Sequence, residues 1–430
     1  MQITLKNVNK IKEGTINLNG LTVIAGVNDS GKSTVGKMLF ALTKAIYNIK
    51  HYSENRKIRE ISLRAYSLYR YFSLAGLNLS ALSLPEQPRD FVQLLIGMDN
   101  EALPFFKTLE EKIANIEVVP RYRAIIMRHI DNIKDTLISG MSPEARLEKE
   151  ILSSLRAEFK SDITSYGAEM SEVIFSDNEN ACPLRFILKN NALSVVSDLN
   201  IREVNIEDAT FVESPLYLQM IETLAQSRTF KETNLMSRSA GMRTSYISYH
   251  VQDLAQKLDA YRGVDMTDIF ARHEDVSEVT GGRFMYDNNK KTLLWVKEGK
   301  TYSPINVASG IKSFGVIQML LETGAVNENS ILIWDEPENH LHPEWQLSFA
   351  RLLVQIAQRG IPILLSSHSP YFIQAIRFFS HQMSLQEYVK YYMAEEQRDG
   401  FSVIEDVSND LNRVFAKLAA PMNGIINLPE

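Results

Sequence analysis

The sequence predicts an α/β chain: a mixed, mostly parallel sheet with flanking helices, interrupted by a large helical insertion. Three observations carry this. Strand-like apolar runs alternate with helical patterns at both ends of the chain, the order that builds a parallel sheet. A glycine-bounded loop joins a strand to a helix near the N-terminus. Between about residues 51 and 179, glycine is rare and apolar residues recur at spacings of three and four, as on helix faces.

Taken in order, Ile3-Thr-Leu5, Thr15-Ile-Asn-Leu18 and Leu21–Ala25 read as strands. Gly26-Val-Asn-Asp-Ser-Gly-Lys-Ser-Thr34 then matches G-x-x-x-x-G-K-[ST] without departure. Gly26 and Gly31 let the backbone turn so that successive N–H groups, those of Asn28, Asp29, Ser30 and Thr34 among them, face phosphate oxygens. The following helix N-terminus adds partial positive charge. Lys32 is placed to reach the β- and γ-phosphates, and the Ser33 hydroxyl to ligate Mg²⁺. A nucleoside triphosphate is therefore the expected ligand.

The insertion is broken near Pro85–Pro88, Pro104, Pro120 and Pro143, where helices stop or restart. Strand-like runs return at Leu184–Leu188 and Ala209–Glu213, and residues 227–249, rich in Ser, Thr and Arg, read as a mobile loop. Arg283–Tyr286 and Thr292–Val296 flank Asp287-Asn-Asn-Lys-Lys291, a hairpin signal. Helix 310–323, strand 330–335, helix 343–358, strand 362–367 and helix 370–379 follow, and Tyr388–Met393, Phe401–Ile404 and Asp410–Leu418 close the fold. The expected division is one discontinuous domain, 1–50 with 180–430, around an insertion of 51–179.

Composition narrows the class. With 430 residues, 45% apolar and 23% charged, the chain is an ordinary globular one. A net charge of −6 argues against a nonspecific nucleic-acid binder. The single Cys182 excludes an internal disulfide and suits a reducing compartment. No signal peptide and no apolar run near the ~18 residues of a membrane span are seen, so the expected location is cytoplasmic, with no membrane partner.

The chemistry-bearing residues fall at strand ends. Ser330-Ile-Leu-Ile-Trp-Asp335-Glu336 is an apolar strand ending in two acids. Asp335 fits the acid that holds Mg²⁺ beside a phosphate loop, and Glu336 a base that orients and deprotonates water. His368 follows the buried run Ile363–Ser367, where ligands sit in open α/β sheets, and could donate to charge developing on the γ-phosphate. Ser309-Gly310 opens a helix and offers a second anion site. It cannot easily serve the phosphate held by Lys32 of the same chain, so a second copy related by a two-fold axis is expected.

The order Gly-Lys-Ser, Ser-Gly, Asp-Glu, His resembles the ABC/SMC-type ATPase head. More closely, Gly26–Thr34, Ala308–Lys312, Trp334–Pro343 and Ser366–Pro370 look like the AAA-type ATPases related to the overcoming-lysogenization-defect family and to bacterial antiphage-defence ATPases. The resemblance implies a P-loop NTPase fold of ABC-ATPase type and ATP with Mg²⁺ sandwiched between two heads, Lys32 of one facing Ser309 of the other. It also implies that Asn339–His342 contact across the dimer. The Val-Ala-Ser-Gly-Ile signature departs from that of transporters, and Glu213 is the candidate for the glutamine that usually senses Mg²⁺. Overcoming-lysogenization-defect proteins carry a C-terminal Toprim nuclease, but the roughly 60 residues after His368 read as the closing strands and helix of the ATPase fold, so such a domain, of at least about 50–100 residues, is not expected among them. The functional expectation is an ATPase that dimerises on ATP and controls a separate effector, a nuclease or toxin, in antiphage defence. A DNA-maintenance ATPase and a non-hydrolysing scaffold are the alternatives.

Two weaker signals remain. Residues 54–72 mix five basic residues with Tyr66, Tyr69, Tyr71 and Phe72, a pattern that could grip a nucleic-acid backbone or be one solvated helix face; Arg121, Arg123 and Arg128 form a second cluster. Glu338, His340 and His342 could suggest a metal, but their spacing on a loop is poor.

Overall fold

The computed structural model describes residues 1–18, 20–51, 54–98, 102–116, 118–138, 143–177, 183–190, 192–195, 204–225, 227, 247–263 and 275–426. The stretch read as a mobile loop, 227–249, lies mostly outside them. The strands are β1 (Gln2–Val8), β2 (Ile11–Asn17), β3 (Leu21–Ala25), β4 (Met170–Ser176), β5 (Leu184–Lys189), β6 (Ala192–Val195), β7 (Asp208–Val212), β8 (Arg283–Asp287), β9 (Thr292–Lys297), β10 (Lys300–Tyr302), β11 (Ser330–Asp335), β12 (Ile363–Ser367), β13 (Val389–Glu396) and β14 (Ser402–Asp406). The helices are α1 (Lys32–Lys50), α2 (Glu54–Leu74), α3 (Pro88–Gly97), α4 (Ala102–Ala114), α5 (Pro120–Ile138), α6 (Pro143–Phe159), α7 (Ile221–Ala225), α8 (Tyr249–Asp259), α9 (Asp275–Thr280), α10 (Ser309–Glu322), α11 (Pro343–Gln358), α12 (Pro370–Gln382) and α13 (Leu411–Ile426).

The architecture is α/β. An 11-stranded sheet runs β6-β5-β4-β1-β2-β14-β13-β3-β12-β11-β7. The half that carries the motifs is parallel: β13, β12, β11 and β7 all run with β3 or with its neighbours. The other half is antiparallel, from β2 through β1 and β4 to β5 and β6, so the mostly parallel expectation describes only the motif-bearing half. β3 and β12 are buried at every residue, which is why they read as continuous apolar runs rather than alternating ones. β8, β9 and β10 form a separate antiparallel sheet around the expected hairpin.

The chain divides into two compact units, Met1–Tyr47 with Leu147–Glu430, and Asn48–Arg146. The smaller unit begins near the expected boundary and ends earlier than residue 179. Residues 147–179 group with the sheet because β4 pairs with β1 along Gln2↔Ser176 to Lys6↔Glu172. The smaller unit has its own helical core, in which Ile61, Leu68 and Phe72 of α2 pack with Phe91, Phe106, Ile126 and Ile130. Pro88, Pro120 and Pro143 each open a helix, where proline's missing N–H costs nothing.

That core changes the reading of residues 54–72. Tyr69 and Phe72 are buried, so they are not a stacking platform. Arg64 donates to the Asn132 carbonyl at 3.2 Å and Arg123 to the Ile116 carbonyl at 2.7 Å. Tyr69 and Phe72 thus serve packing, while Tyr66 is exposed and Tyr71 stacks on His129 at 5.4 Å.

Close approach of α1 to the sheet sets the position of the phosphate loop. Gly36 faces β11, and a Cβ there would lie 2.9 Å from Ile333 Cγ2 and 3.4 Å from the Phe211 ring. Gly36→Leu is expected to cost about 1–3 kcal/mol through overpacking, lowering both the thermal midpoint and nucleotide affinity; a midpoint equal to the wild type's would contradict this packing.

Candidate nucleotide-binding site

Strand register assembles the site. Asp335 of β11 lies beside Ser366 of β12, which lies beside Ile24 of β3, and Trp334 lies beside Val212 of β7. The carboxyl ends of four parallel strands therefore meet along one edge, and the loops leaving them carry Gly26–Thr34, Glu336, His368 and Glu213.

The loop after β3 is tight. Asp29 and Gly31 take left-handed backbone angles, φ 62° and 82°, and a Cβ on Gly26 would lie 2.6 Å from Ser30 Oγ and 2.9 Å from the Ala394 carbonyl. A Cβ on Gly31 would lie 3.2 Å from Ile11 Cγ1 and 3.3 Å from Lys10 Cβ, so neither glycine has room for a side chain. Lys32, the first residue of α1, is buried and its Nζ donates to the Val27 carbonyl at 2.7 Å, with Glu336 Oε1 at 3.9 Å. Burial pulls the Lys32 pKa down, against the opposing pull of Glu336, Asp335 and Glu338. The amides opening α1 have no partner within the helix. Ser30 Oγ is buried without a hydrogen-bond partner.

Opposite the loop stands Asp335. Its Oδ2 accepts from Ser33 Oγ at 2.7 Å and its Oδ1 from Ser366 Oγ. Burial raises its pKa, and the two serine hydroxyls pull against that. Glu336, just past the strand, adopts φ 48°, a conformation that non-glycine residues rarely hold and that clusters at functional sites. Its Oε2 accepts from Asn339 Nδ2 at 2.8 Å and its Oε1 lies 3.0 Å from His368 Nδ1. Burial pushes Glu336 up, but Asn339, His368 and Lys32 together hold it below the usual carboxylate range. Glu338 is buried and its pKa is raised by burial.

The structure thus brings Gly26, Asn28, Asp29, Ser30, Gly31, Lys32, Ser33, Thr34, Asp335 and Glu336 to one place, with His368 held against Glu336. Asn28 to Thr34, Asp335 and Glu336 line a cleft of about 290 Å³ together with Asn9 and Lys10. Those two were not anticipated. They occupy the turn between β1 and β2, where Asn9 has φ 48°; Asn9 Oδ1 accepts from Thr34 Oγ1 at 3.4 Å and Lys10 pairs with Asp29 at 2.8 Å. The only trace in the sequence is a polar break between two strands. Ser309 and Gly310 do not line this cleft. They open α10, where a Cβ on Gly310 would lie 3.0 Å from the Trp345 ring and 3.2 Å from the His340 carbonyl.

The residues fit a magnesium–nucleotide complex. Ser33 and Asp335 offer a hydroxyl and a carboxylate facing each other, the hard oxygen donors that Mg²⁺ takes in small number alongside phosphate. The loop glycines have no room for side chains, and the buried Lys32 ammonium stands beside them. Among the described residues, no group of three or more His, Cys, Asp or Glu is placed to hold a metal by itself. No helix of the described residues is long and apolar enough to cross a membrane.

Glu213 lies at the end of β7, beside Asp335. Its Oε2 accepts from Tyr217 at 2.7 Å and lies 3.3 Å from His250 Nε2, while Oε1 is 3.9 Å from Lys37 Nζ. The other ring nitrogen of His250 is 2.6 Å from Glu158 Oε2, and the ring stacks on Phe211 at 4.6 Å. Hydrogen bonding to His250 holds Glu213 down at about 2. Burial alone would lower His250, but the two carboxylates raise it from 6.5 to about 9.

Comparison with known proteins gives one family match: residues 1–373 fit the AAA ATPase domain, AAA_15. Protein ea59 of Escherichia phage lambda is 31% identical over 110 residues, which are 24% of this chain and 18% of that protein's length. The SMC head domain from Thermotoga maritima aligns at 10% identity and a TM-score of 0.39 over 94% of this chain and 98% of its own. An SMC head with an extended coiled coil, bound to the C-terminal domain of ScpA and derived from Pyrococcus furiosus, aligns at 12% and 0.40 over 98% of each chain.

A pKa raised by folding contributes stability that is complete below the unfolded value and lost as the pH climbs through the folded one. For His250 the window runs from pH 6.5 to about 9. The urea midpoint should fall across that range, and His250→Gln should flatten the slope; an identical slope in the variant would show that the His250 charge contributes nothing.

Proposed function

Since the chain belongs to the AAA ATPase domain family, we propose that it binds and hydrolyses ATP in a composite site formed by two copies. The observation that supports this best is the Glu336 carboxylate, held in a left-handed backbone conformation between Asn339 and His368, 3.9 Å from the phosphate-loop lysine.

The loop amides and Lys32 bind the β- and γ-phosphates. Ser33 and Asp335 would hold Mg²⁺, Ser33 by its hydroxyl. When bound, the ion would neutralise charge on the phosphate oxygens. Glu336 orients a water in line with the γ-phosphorus and takes its proton on the carboxylate. Asn339 and His368 keep that carboxylate turned to the cleft, and His368 offers its Nε2 edge to the phosphoryl group. Glu213 takes the place of the Mg²⁺-sensing glutamine, its orientation fixed by Tyr217 and His250. Ser309 and Gly310, turned away from the cleft of their own chain, supply the N-terminus of α10 to the nucleotide held by a partner copy.

The setting we propose is control of a separate effector, a nuclease or toxin, in bacterial antiphage defence. What supports it is the likeness of the motif order to the ATPases related to the overcoming-lysogenization-defect family. In a bacterial host expressing the chain with its genomic neighbour, phage plaque counts should drop, and Lys32→Ala should restore them. Equal counts with and without the wild-type chain would overturn this setting.

Glu336→Gln should lower ATP turnover by about 10²–10⁴-fold, the usual worth of a general base, while ATP still binds. With ATP and Mg²⁺ the variant should run as a dimer in light scattering, and adding Ser309→Arg should return it to monomer. Full turnover in Glu336→Gln would remove Glu336 from the chemistry. A wild-type chain that dimerises on ATP without turnover would be a nucleotide-dependent scaffold.

A further inference from the structure

Glu338 touches no residue that lines the phosphate cleft by its own side chain, yet it is enclosed at the heart of the site. Its side chain is 3% exposed. Oε1 accepts from Ser367 Oγ at 2.6 Å, from the His368 amide at 3.2 Å and from the Ser369 amide at 3.2 Å. Oε2 is buried with no hydrogen-bond partner. The donors run from Ser367, the last residue of β12, through His368 to Ser369, the N-cap of α12.

These bonds close a ring. Glu338 stands two residues after Glu336 in the chain; it holds the backbone of His368, and the His368 ring returns to Glu336 Oε1 at 3.0 Å. The Glu336 amide also donates to the Ser366 carbonyl at 3.0 Å. An apolar residue at 338 would leave the part-buried His368 amide without this acceptor and the Ser369 amide with Ser367 Oγ alone. A carboxylate satisfies them with charge-assisted bonds that are shorter and more directional than neutral ones. Burying a charge whose second oxygen has no partner is unfavourable, so stability alone does not account for an acid here.

We propose that Glu338 is a positioning residue: by anchoring the His368 and Ser369 amides to the loop after β11, it fixes the His368 ring against the Glu336 carboxylate. The inference rests on the ATPase reading for its effect on turnover, and on geometry alone for the anchoring itself.

The experiment compares Glu338→Ala and Glu338→Gln in the full chain by hydrogen exchange across residues 366–372, by ATP turnover with Mg²⁺, and by ATP affinity. In Glu338→Ala, exchange of the His368 and Ser369 amides should rise about tenfold or more. Turnover should fall about 100-fold, as expected for a displacement near 1 Å, with ATP affinity within about threefold because the phosphate loop is untouched. Glu338→Gln keeps the Oε1 acceptor and should keep both the protection and most of the turnover. In a His368→Ala background, Glu338→Ala should cost little more, because the two residues act as one unit. Unchanged protection, unchanged turnover, or an undiminished cost without His368 would overturn the proposal. Should Glu338→Ala fail to fold, Ser367→Ala removes the shortest bond and a 3.1 Å contact to the Ser369 amide; normal exchange and turnover there would equally overturn it. A wild type without turnover, in which Glu338→Ala still loses protection, would refute the ATPase reading and leave the anchoring standing.

Discussion

The contact on which this site depends is the Asp335 carboxylate held between two serine hydroxyls, Ser33 at the head of α1 and Ser366 on β12. It joins the ends of β3, β11 and β12 at the point where all three stop. A buried carboxylate is tolerated only when its oxygens are hydrogen-bonded, and each oxygen of Asp335 receives one hydroxyl. The parallel register that sets Asp335 against Ser366, and Ser366 against Ile24, makes this possible. A slip of one residue would turn each side chain to the opposite face of the sheet. Phosphate loop, acid and His368 loop would then no longer share an edge.

Much of this was legible in the sequence, for a physical reason. β3, β11 and β12 are covered on both faces, so they appear as unbroken apolar runs, and each is followed at once by polar residues of a recognisable kind. α11 was legible to the residue because Pro343 opens it and Gly360 follows it closely. β4 was harder. Only Ser171, Val173 and Phe175 of its seven residues are buried, and such short alternation directly after helical periodicity does not separate a strand from the end of an insertion. Tyr69 and Phe72 misled because a helix face buried against neighbouring helices has the same composition as an aromatic, basic binding face. Asn9 and Lys10 left almost no signal, since polar residues in a turn read as solvated until tertiary structure shows what surrounds them, and Glu338 stood out in the sequence only beside His340 and His342, not as a partner of the His368 loop.

The loop from Glu336 to His342 is unusually well determined for a connection between strand and helix. The Asn339 amide donates to the Glu336 carbonyl at 3.0 Å and the Leu341 amide to the Glu338 carbonyl at 3.1 Å. Leu341 is buried, and His342 caps α11 by accepting from the Glu344 amide at 3.4 Å. Two of its residues, Glu336 and His340, hold positive φ of 48° and 66°. Such angles persist only where the surroundings over-determine them, and here the hydrogen bonds and the buried leucine do so.

The same loop meets α10 at its other end. Gly310 is packed against the His340 carbonyl and Trp345 closely enough that a Cβ would sit 3.0–3.2 Å from both, and Trp345 in turn meets Phe314 edge-on at 6.0 Å. Close-packed interiors transmit displacement rather than absorb it. In the proposed dimer, a nucleotide bound across Ser309 would press on α10, and α10 packs through Gly310 on the segment that begins with Glu336. On the proposed reading, the half-site a chain would offer to its partner and the carboxylate it would use in its own cleft are joined by the seven residues Glu336–His342. In such a dimer, engagement of one site would bear on the other through that loop, with no movement of the sheet required.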